Sequence, residues 1–323
     1  MFLGVDGGGT KTAFVLIDQD GRVRARHQEA SSYYLEFGMD HTRAILQSGV
    51  AATLSKAGLQ HDDVQFAFFG LPAYGEDSAI QPQLDALPSA FLKNGQFRCD
   101  GDMICSWAGS LACADGISVI SGTGSMAYGE YAGRGARAGG WGELFSDEGS
   151  AYWIAREGLN LFSRMSDGRA APGPLHDLMK SRFGLKQDLD LCGHVYSTLG
   201  AQRSAIAQIA QLVAEAAQLG DVRARTIFQR AAEELVEFVV AVRKTLHVPD
   251  QVTLPVSYSG GVFDNALLLD AFMNGLQAYP GQFRLMTPLL SPALGAALYA
   301  AKCAGCNLSP EALQQLYREV HDD

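Results

Sequence analysis

Apolar residues come in short bursts up to about Gly149 and at helical spacing beyond it. Residues 2–5 form a short apolar run that enters the glycines of D-G-G-G-T at 6–10, and 13–17 form another that leaves them. That pattern predicts two strands joined by a tight turn. Gln19-Asp20-Gly21 supplies the next turn, and 22–27 alternate in part, so the opening reads as a β-meander rather than a strand–loop–helix unit. Ile45, Val50 and Leu54 give residues 40–57 helical spacing, ending near Gly58. Residues 64–70 read as a buried strand and 103–114 as a helix.

The opening pattern then recurs. G-I-S-V-I-S-G-T-G-S at 116–125 is again an apolar strand running into a Gly/Thr/Ser turn, and 126–131 form the strand that leaves it. Two equivalent β-turn-β elements therefore begin two halves of one architecture. Helices are expected over 151–163, 174–183, 202–219 and 221–246, a strand over 253–258, a turn at Ser259-Gly260-Gly261 and a helix over 265–276. A last helix, 310–320, has Ser309 as its expected N-cap. No low-complexity segment or flexible linker interrupts the chain.

Length alone, 323 residues, suggests two domains, and 47% hydrophobic with 19% charged residues is an ordinary globular composition. The net charge of −10 comes without a compensating Lys/Arg cluster, which argues against nucleic-acid and anionic-membrane partners. A polyanionic ligand would have to be held by backbone amides and a metal. The uncharged run 285–301 contains Pro288 and Pro292 and falls short of the ~20 residues of a membrane span. The start of the chain carries no signal-peptide pattern, and the six cysteines show no framework spacing, Cys303 and Cys306 forming the only C-x-x-C. A cytoplasmic protein with reduced thiols is expected.

Glycine-rich turns cradle phosphates because bare backbone N–H groups can converge on an anion. Two familiar versions do not fit. A P-loop needs G-x-x-x-x-G-K-[ST], whereas Thr10 separates Gly9 from Lys11 here and no helix follows. Gly122 to Ala127 satisfies G-x-G-x-x-[GA] on paper, but the following residues do not open a helix, so the dinucleotide fingerprint lacks its context. What remains is a pair of hairpin turns at 6–10 and 121–125, with a third glycine turn at 259–261. Either turn alone could be an ordinary tight hairpin; two at equivalent points of a repeat point to phosphate binding.

This arrangement resembles the sugar-kinase and actin-like ATPase superfamily. G-G-W-G at 139–142, followed by S-D-E-G-S-A-Y-W-I at 146–154, is similar to the N-acetylglucosamine kinase branch of the BadF/BadG family. The specific likeness covers residues 4–154; beyond it only the helical layout and the Gly260-Gly261 turn are shared. The resemblance implies an α/β fold of two ribonuclease-H-like domains around a nucleotide and sugar cleft. The division expected is 1–112, joined by 307–323, and 113–306. A homodimer is also expected.

The resemblance also implies the site. Asp6 would hold Mg²⁺ through water, although an Asx-turn is its ordinary alternative. Gly8, Gly9, Thr10, Gly122, Thr123 and Gly124 would take the ATP phosphates, and Gly260 and Gly261 would let adenine and ribose lie against the backbone. Lys11 reads as a solvated cation. A kinase acting on a hydroxyl needs a carboxylate to take the hydroxyl proton. The family places an aspartate just ahead of a helix, at the spacing before the G-T-G-S turn that Asp102 has, with Asp100 as the other candidate; Asp102 could also simply cap that helix. Asp102, Ser125, Gly140, Trp141, Gly142 and Asp147 match the family's sugar positions, though Asp147 could instead cap helix 151–163 and Trp141 could belong to the core. One departure stands out: where the family has an asparagine contacting the sugar, this chain has Tyr33, and a phenol cannot replace an amide's paired donor and acceptor.

The activity implied is ATP-dependent phosphorylation of N-acetylglucosamine at its 6-hydroxyl. Glucosamine kinase is the alternative in the same class. The fold also serves ATPase activators of radical dehydratases, which use paired cysteines on an iron–sulfur cluster; Cys303 and Cys306 lie too near the last helix for that. A sugar-sensing regulator would need a DNA-binding segment, and the chain opens directly on the phosphate strand.

Overall fold

The computed structural model describes residues 1–93 and 95–319. Two compact units emerge, Met1–Ser118 with the chain from Thr287 onward, and Val119–Met286. These breaks stand beside the expected 112/113 and 306/307. They put the helix Pro292–Cys303 with the first unit rather than with the second.

The first unit carries a five-stranded sheet of β1 (Phe2–Gly7), β2 (Lys11–Ile17), β3 (Val23–Ala30), β4 (Phe66–Leu71) and β5 (Phe97–Gly101), in the order β3-β2-β1-β4-β5. β1 and β2 pair antiparallel with Asp6 opposite Ala13 and Gly7 opposite Thr12. β4 runs parallel to both β1 and β5, so Asp6, Gly70 and Asp100 lie side by side in adjacent strands at one end of the sheet. One face packs Leu3, Val5, Phe14, Phe69 and Leu46 into a core with helix Met39–Ala57. On β1, the missing side chain of Gly4 lets Ala296 and Ala297 of helix Pro292–Cys303 press against the strand.

Proline explains why that helix was not expected. Pro292 stands at the start of the helix, where it breaks no hydrogen bond, and the Ser291 hydroxyl caps it by accepting from Leu294 N–H at 3.4 Å. β5 and the strand Phe283–Met286 also lacked any sequence signal that we recognised; both are short parallel strands of five and four residues.

The second unit carries β6 (Gly116–Ser121), β7 (Ser125–Tyr131), β8 (Arg134–Gly139), β9 (Leu254–Ser259) and β10 (Phe283–Met286), in the order β10-β9-β6-β7-β8. The unit boundary at 118/119 falls within β6. β7 and β8 pair antiparallel, as β2 and β3 do. The meander expected for the first half is present, and β8, which was not expected, extends the β-turn-β element of the second half into another. Helix Ala151–Ser166 is capped by Ser150, and helix Val222–Thr245 by Asp221. The single helix expected over 202–219 is two, Arg203–Ala207 and Ala210–Gln218. Helix Pro310–Arg318 has the expected Ser309 cap, while Val320 lies outside the described residues.

Candidate functional site

In the first unit, the turn 8–10 is closed by the Gly8 N–H donating to Lys11 O at 3.0 Å, and held from behind by the Ser31 hydroxyl donating to Gly8 O at 2.8 Å. Counting Gly7 at the end of β1, where the turn is entered, the three glycines here are not equivalent. A Cβ on Gly7 would stand 2.6 Å from Ser32 Oγ and 2.8 Å from Gly70 O, so packing alone excludes a side chain there. A Cβ on Gly8 would meet only Lys11 O, at 3.3 Å. On Gly9 it would meet nothing within 4 Å, and Gly9 does not have a positive φ. The fold makes no demand for glycine at position 9, and Thr10 beside it is exposed.

Asp6 stands one residue before the end of β1 and is half-buried, and burial pushes its carboxyl up to about 7, with a hydrogen bond from Cys105 and then the charge of Lys11 only partly offsetting the effect. Asp102 follows β5, its N–H donating to Leu71 O at 3.2 Å, so it sits beside the end of β4. A side chain on Gly70 would press on Asp102 Cα at 3.2 Å. Burial, then the neighbouring charge of Asp6, pushes Asp102 up to about 7 as well. Asp102 stands at the N-cap of helix Met103–Leu111 yet makes no side-chain capping bond, and the backbone N–H groups of Met103 and of Asp102 itself lower its carboxyl only in part. Asp100 differs. Its Oδ2 accepts from Arg98 Nη2 at 2.6 Å and its Oδ1 from Gly101 N–H at 2.9 Å.

No group of three or more His, Cys, Asp or Glu able to hold a metal occurs among the described residues. Mg²⁺ usually takes one or two carboxylates and fills its remaining positions with water and phosphate oxygens. Asp6, a hard oxygen donor without a strong cationic neighbour, fits that pattern. Two buried hydroxyls near the turn, Thr12 Oγ1 and Ser32 Oγ, lack a hydrogen-bond partner among the described residues. Sequence reasoning missed both: Thr12 had only its position just after the glycines as a signal, and Ser32 reaches Gly7 only through the fold. Tyr33 is half-buried and its N–H donates to Ser31 Oγ at 3.1 Å.

The second unit's turn, 121–125, rests on a helix. Ala151 N–H donates to Gly122 O at 2.8 Å and Tyr152 N–H to Thr123 O at 3.3 Å. The hydroxyls of Ser121 and Ser125 donate to Gly149 O at 2.8 Å and Glu148 O at 2.6 Å. Ser125 is thus buried and occupied. Gly122 again has open space at its Cβ position and no positive φ, and Thr123 is exposed. Gly124 is different: a Cβ there would strike the Asp147 carboxylate and the Arg203 guanidinium. Gly260, with φ at 99°, lies so close to Ser121 that a side chain would collide with the Ser121 carbonyl, which places the turn 259–261 directly against the turn 121–125. Gly261 carries no such constraint.

Gly140 and Gly142 have φ of 72° and 93°, conformations that favour glycine, and Gly140 N–H donates to Ser125 O at 3.1 Å. Between them Trp141 is 66% exposed with the Arg137 guanidinium 5.6 Å from its ring centroid, so it is not a core residue. Leu144 and Phe145 are exposed too. Asp147 is buried, in a left-handed conformation, and pairs with Arg203. It is not the cap of helix Ala151–Ser166; Ser150 is, accepting from Trp153 N–H at 3.1 Å. Burial raises the Asp147 carboxyl, and Arg203 works against the rise.

Neither Cys303 nor Cys306 forms a disulfide among the described residues. Among the described residues no helix is long and apolar enough to cross a membrane.

Two meander sheets, each with a glycine turn and an exposed threonine, define a duplicated ATPase fold of two ribonuclease-H-like domains. The chain belongs to the BadF/BadG/BcrA/BcrD ATPase family, whose model matches residues 3–300. It is 27% identical over 311 residues to the N-acetyl-D-glucosamine kinase of Dictyostelium discoideum, covering 93% of this chain and 97% of that one. It is 28% identical over 306 residues to the N-acetylmuramic acid/N-acetylglucosamine kinase of Clostridium acetobutylicum, covering 92% and 97%. Among solved structures, one from Chromobacterium violaceum with a provisional N-acetylglucosamine kinase name has a TM-score of 0.70 and 27% identity, over 92% of this chain and 97% of that one.

Proposed function

We propose that this protein is an ATP-dependent amino-sugar kinase that phosphorylates N-acetylglucosamine at its 6-hydroxyl. The observation that carries the reading is the pair of bare glycines, Gly9 and Gly122, each next to an exposed threonine and each without a structural demand for glycine. Such positions suit a phosphate that must come against the backbone. Gly8, Gly9, Thr10, Gly122 and Thr123 then hold the nucleotide phosphates, and Gly260 and Gly261 flank the nucleoside. Asp6 holds Mg²⁺, which when bound neutralises charge on the phosphate oxygens.

Asp102 is the base. Its carboxylate accepts the proton of the sugar hydroxyl while that oxygen bonds to the γ-phosphorus and the bond to the β,γ-bridging oxygen breaks, releasing ADP. The absence of a capping bond on Asp102 and the Arg98 bond on Asp100 favour Asp102 for this task. Gly140, Trp141, Gly142, Ser125 and Asp147 belong to the acceptor end, where Ser125 serves by holding Gly140, Glu148 and Asp147 in place.

Glucosamine is the second reading, favoured by Tyr33 where the family has an asparagine. An ADP-release assay over a panel of hexoses and amino sugars tests both. N-acetylglucosamine should give the highest kcat/KM; ADP release that no sugar stimulates would overturn the kinase reading.

A further inference from the structure

The acceptor end contains a carboxylate that a ligand cannot easily touch and a guanidinium that it can. The Asp147 side chain is 2% exposed, and that of Arg203 is 37% exposed. Asp147 Oδ1 accepts from Ser125 N–H at 3.3 Å, and Oδ2 accepts from Arg203 Nη2. Arg203 Nε faces Glu143 Oε2 at 3.5 Å. No bond from Arg203 Nη1 is found among the described residues.

Three separate stretches of chain converge to make this arrangement. Gly124 leaves out the side chain that would collide with both partners. Asp147 adopts φ of 62°, a conformation unusual for a residue with a side chain. Gly200 and Ala201, both left-handed at φ of 61° and 52°, end a π-helical turn at His194–Thr198 and deliver Arg203 as the first residue of its helix. A buried or half-buried ion pair is rarely more stabilising than an apolar pair of the same volume, so stability alone does not account for this construction. What it achieves is a guanidinium held from behind by two carboxylates with one edge outward.

We propose that Arg203 is the group that meets the acceptor, with Asp147 as its anchor, and that it reads an acyl carbonyl on the sugar. The inference rests on the amino-sugar kinase reading above. A guanidinium has five donors and no acceptor. It can bond the carbonyl oxygen of an acetamido group, or a carboxylate on a sugar acid, but offers nothing to a free ammonium, which has no lone pair. Of the two readings above, only N-acetylglucosamine carries such an oxygen on its 2-substituent, so the N-acylated amino sugar is the acceptor this arginine favours. A site built around such a bond discriminates strongly against the analogue that lacks it.

Steady-state kinetics with N-acetylglucosamine and with glucosamine test this in wild type, Arg203→Met, Arg203→Lys, Asp147→Asn and the Arg203→Met/Asp147→Asn pair. Arg203→Met should raise the N-acetylglucosamine KM by roughly 10–100-fold, the scale of one hydrogen bond to a charged group. Its kcat, its ATP KM and its glucosamine KM should change only a few-fold, and Arg203→Lys should recover part of the loss. Asp147→Asn should add nothing once Arg203 is Met. An Asp147→Asn change that still raises the N-acetylglucosamine KM when Arg203 is already Met would make Asp147 the contact and overturn the proposal. Equal losses for both sugars would overturn it too. Should Arg203→Met fail to fold, Arg203→Lys carries the test, and an unchanged N-acetylglucosamine KM there sinks the proposal. A wild type inert toward both sugars brings down the kinase reading and this inference together, and is seen before any variant is made.

Discussion

The two glycine turns look alike in sequence and are built differently. The first, 8–10, hangs between two strands and is braced by one hydroxyl, Ser31 Oγ. The second, 121–125, has its carbonyls at 122 and 123 tied to the start of helix Ala151–Ser166 and both its serines spent on the backbone at 148–149. Each contains one glycine that packing requires, Gly7 in the first and Gly124 in the second, and one that it does not, Gly9 and Gly122. The first lies beside two half-buried carboxyls, Asp6 and Asp102, with no strong cation nearby; the second lies beside a carboxylate already paired with arginine. The lesson is that a glycine-rich motif mixes two requirements, and only the coordinates separate them. Beside the first turn the carboxyls are left without a strong cationic partner; beside the second the carboxylate is already paired.

The comparison breaks most visibly at Asp102. Asp102→Asn keeps the shape but removes the base, and kcat should fall by about 10²–10⁴-fold at saturating substrates. Asp100→Asn, whose carboxylate serves Arg98, should stay within a few-fold; a dead Asp100→Asn beside an active Asp102→Asn would reverse the assignment. With Asp6 and Asp102 raised to about 7, kcat/KM of wild type should fall on the acid side with an inflection near 7. The same shifts have a stability sign. Between about pH 4 and 7 the folded chain keeps protons that the unfolded chain releases, so these groups make stability fall as pH rises through that window. Asp102→Asn should therefore melt higher than wild type at pH 8 and no higher at pH 4, read by calorimetry. A lower Tm at pH 8 would contradict the burial argument.

Stability sharpens the contrast next. Gly7→Ala and Gly124→Ala push a methyl into occupied space, and overpacking of this kind typically costs about 1–3 kcal/mol. Gly9→Ala and Gly122→Ala should lie within about 0.5 kcal/mol of wild type. Denaturant melts of the four variants compare them directly, and equal losses would erase the distinction. Smaller still is the effect expected at Tyr33. If it borders the acceptor's substituted edge, Tyr33→Asn should shift the ratio of kcat/KM for N-acetylglucosamine over glucosamine by tens-fold at most, since such pocket differences are worth ~1–3 kcal/mol. An unchanged ratio places it elsewhere.

Both turns were legible in sequence because apolar runs, glycines and hydroxyls are local signals, and the duplication made each vouch for the other. Asp102 was preferred to Asp100 in sequence through the family's spacing, and the Arg98 bond on Asp100 is a tertiary detail that no local pattern announces. Helix Pro292–Cys303 was hidden because proline reads as a breaker wherever its position in the helix is unknown. The cap that Asp147 offered as the alternative to a sugar contact was one of several local possibilities, and Ser150 took it. Arg203 was invisible for a different reason. Its partner is 56 residues away, and no periodicity in a polar segment announces a tertiary ion pair.

The central claim is that Gly9 and Gly122 are bare for a ligand rather than for the fold. Calorimetric titration of Mg²⁺-ATP into wild type, Gly9→Ala and Gly122→Ala tests it most directly. Losing one hydrogen bond to a charged phosphate is worth about 1.5–3 kcal/mol, so each variant should bind ATP roughly 10–150-fold more weakly with its Tm unchanged. Wild-type affinity in both variants, at an unchanged Tm, would contradict the account.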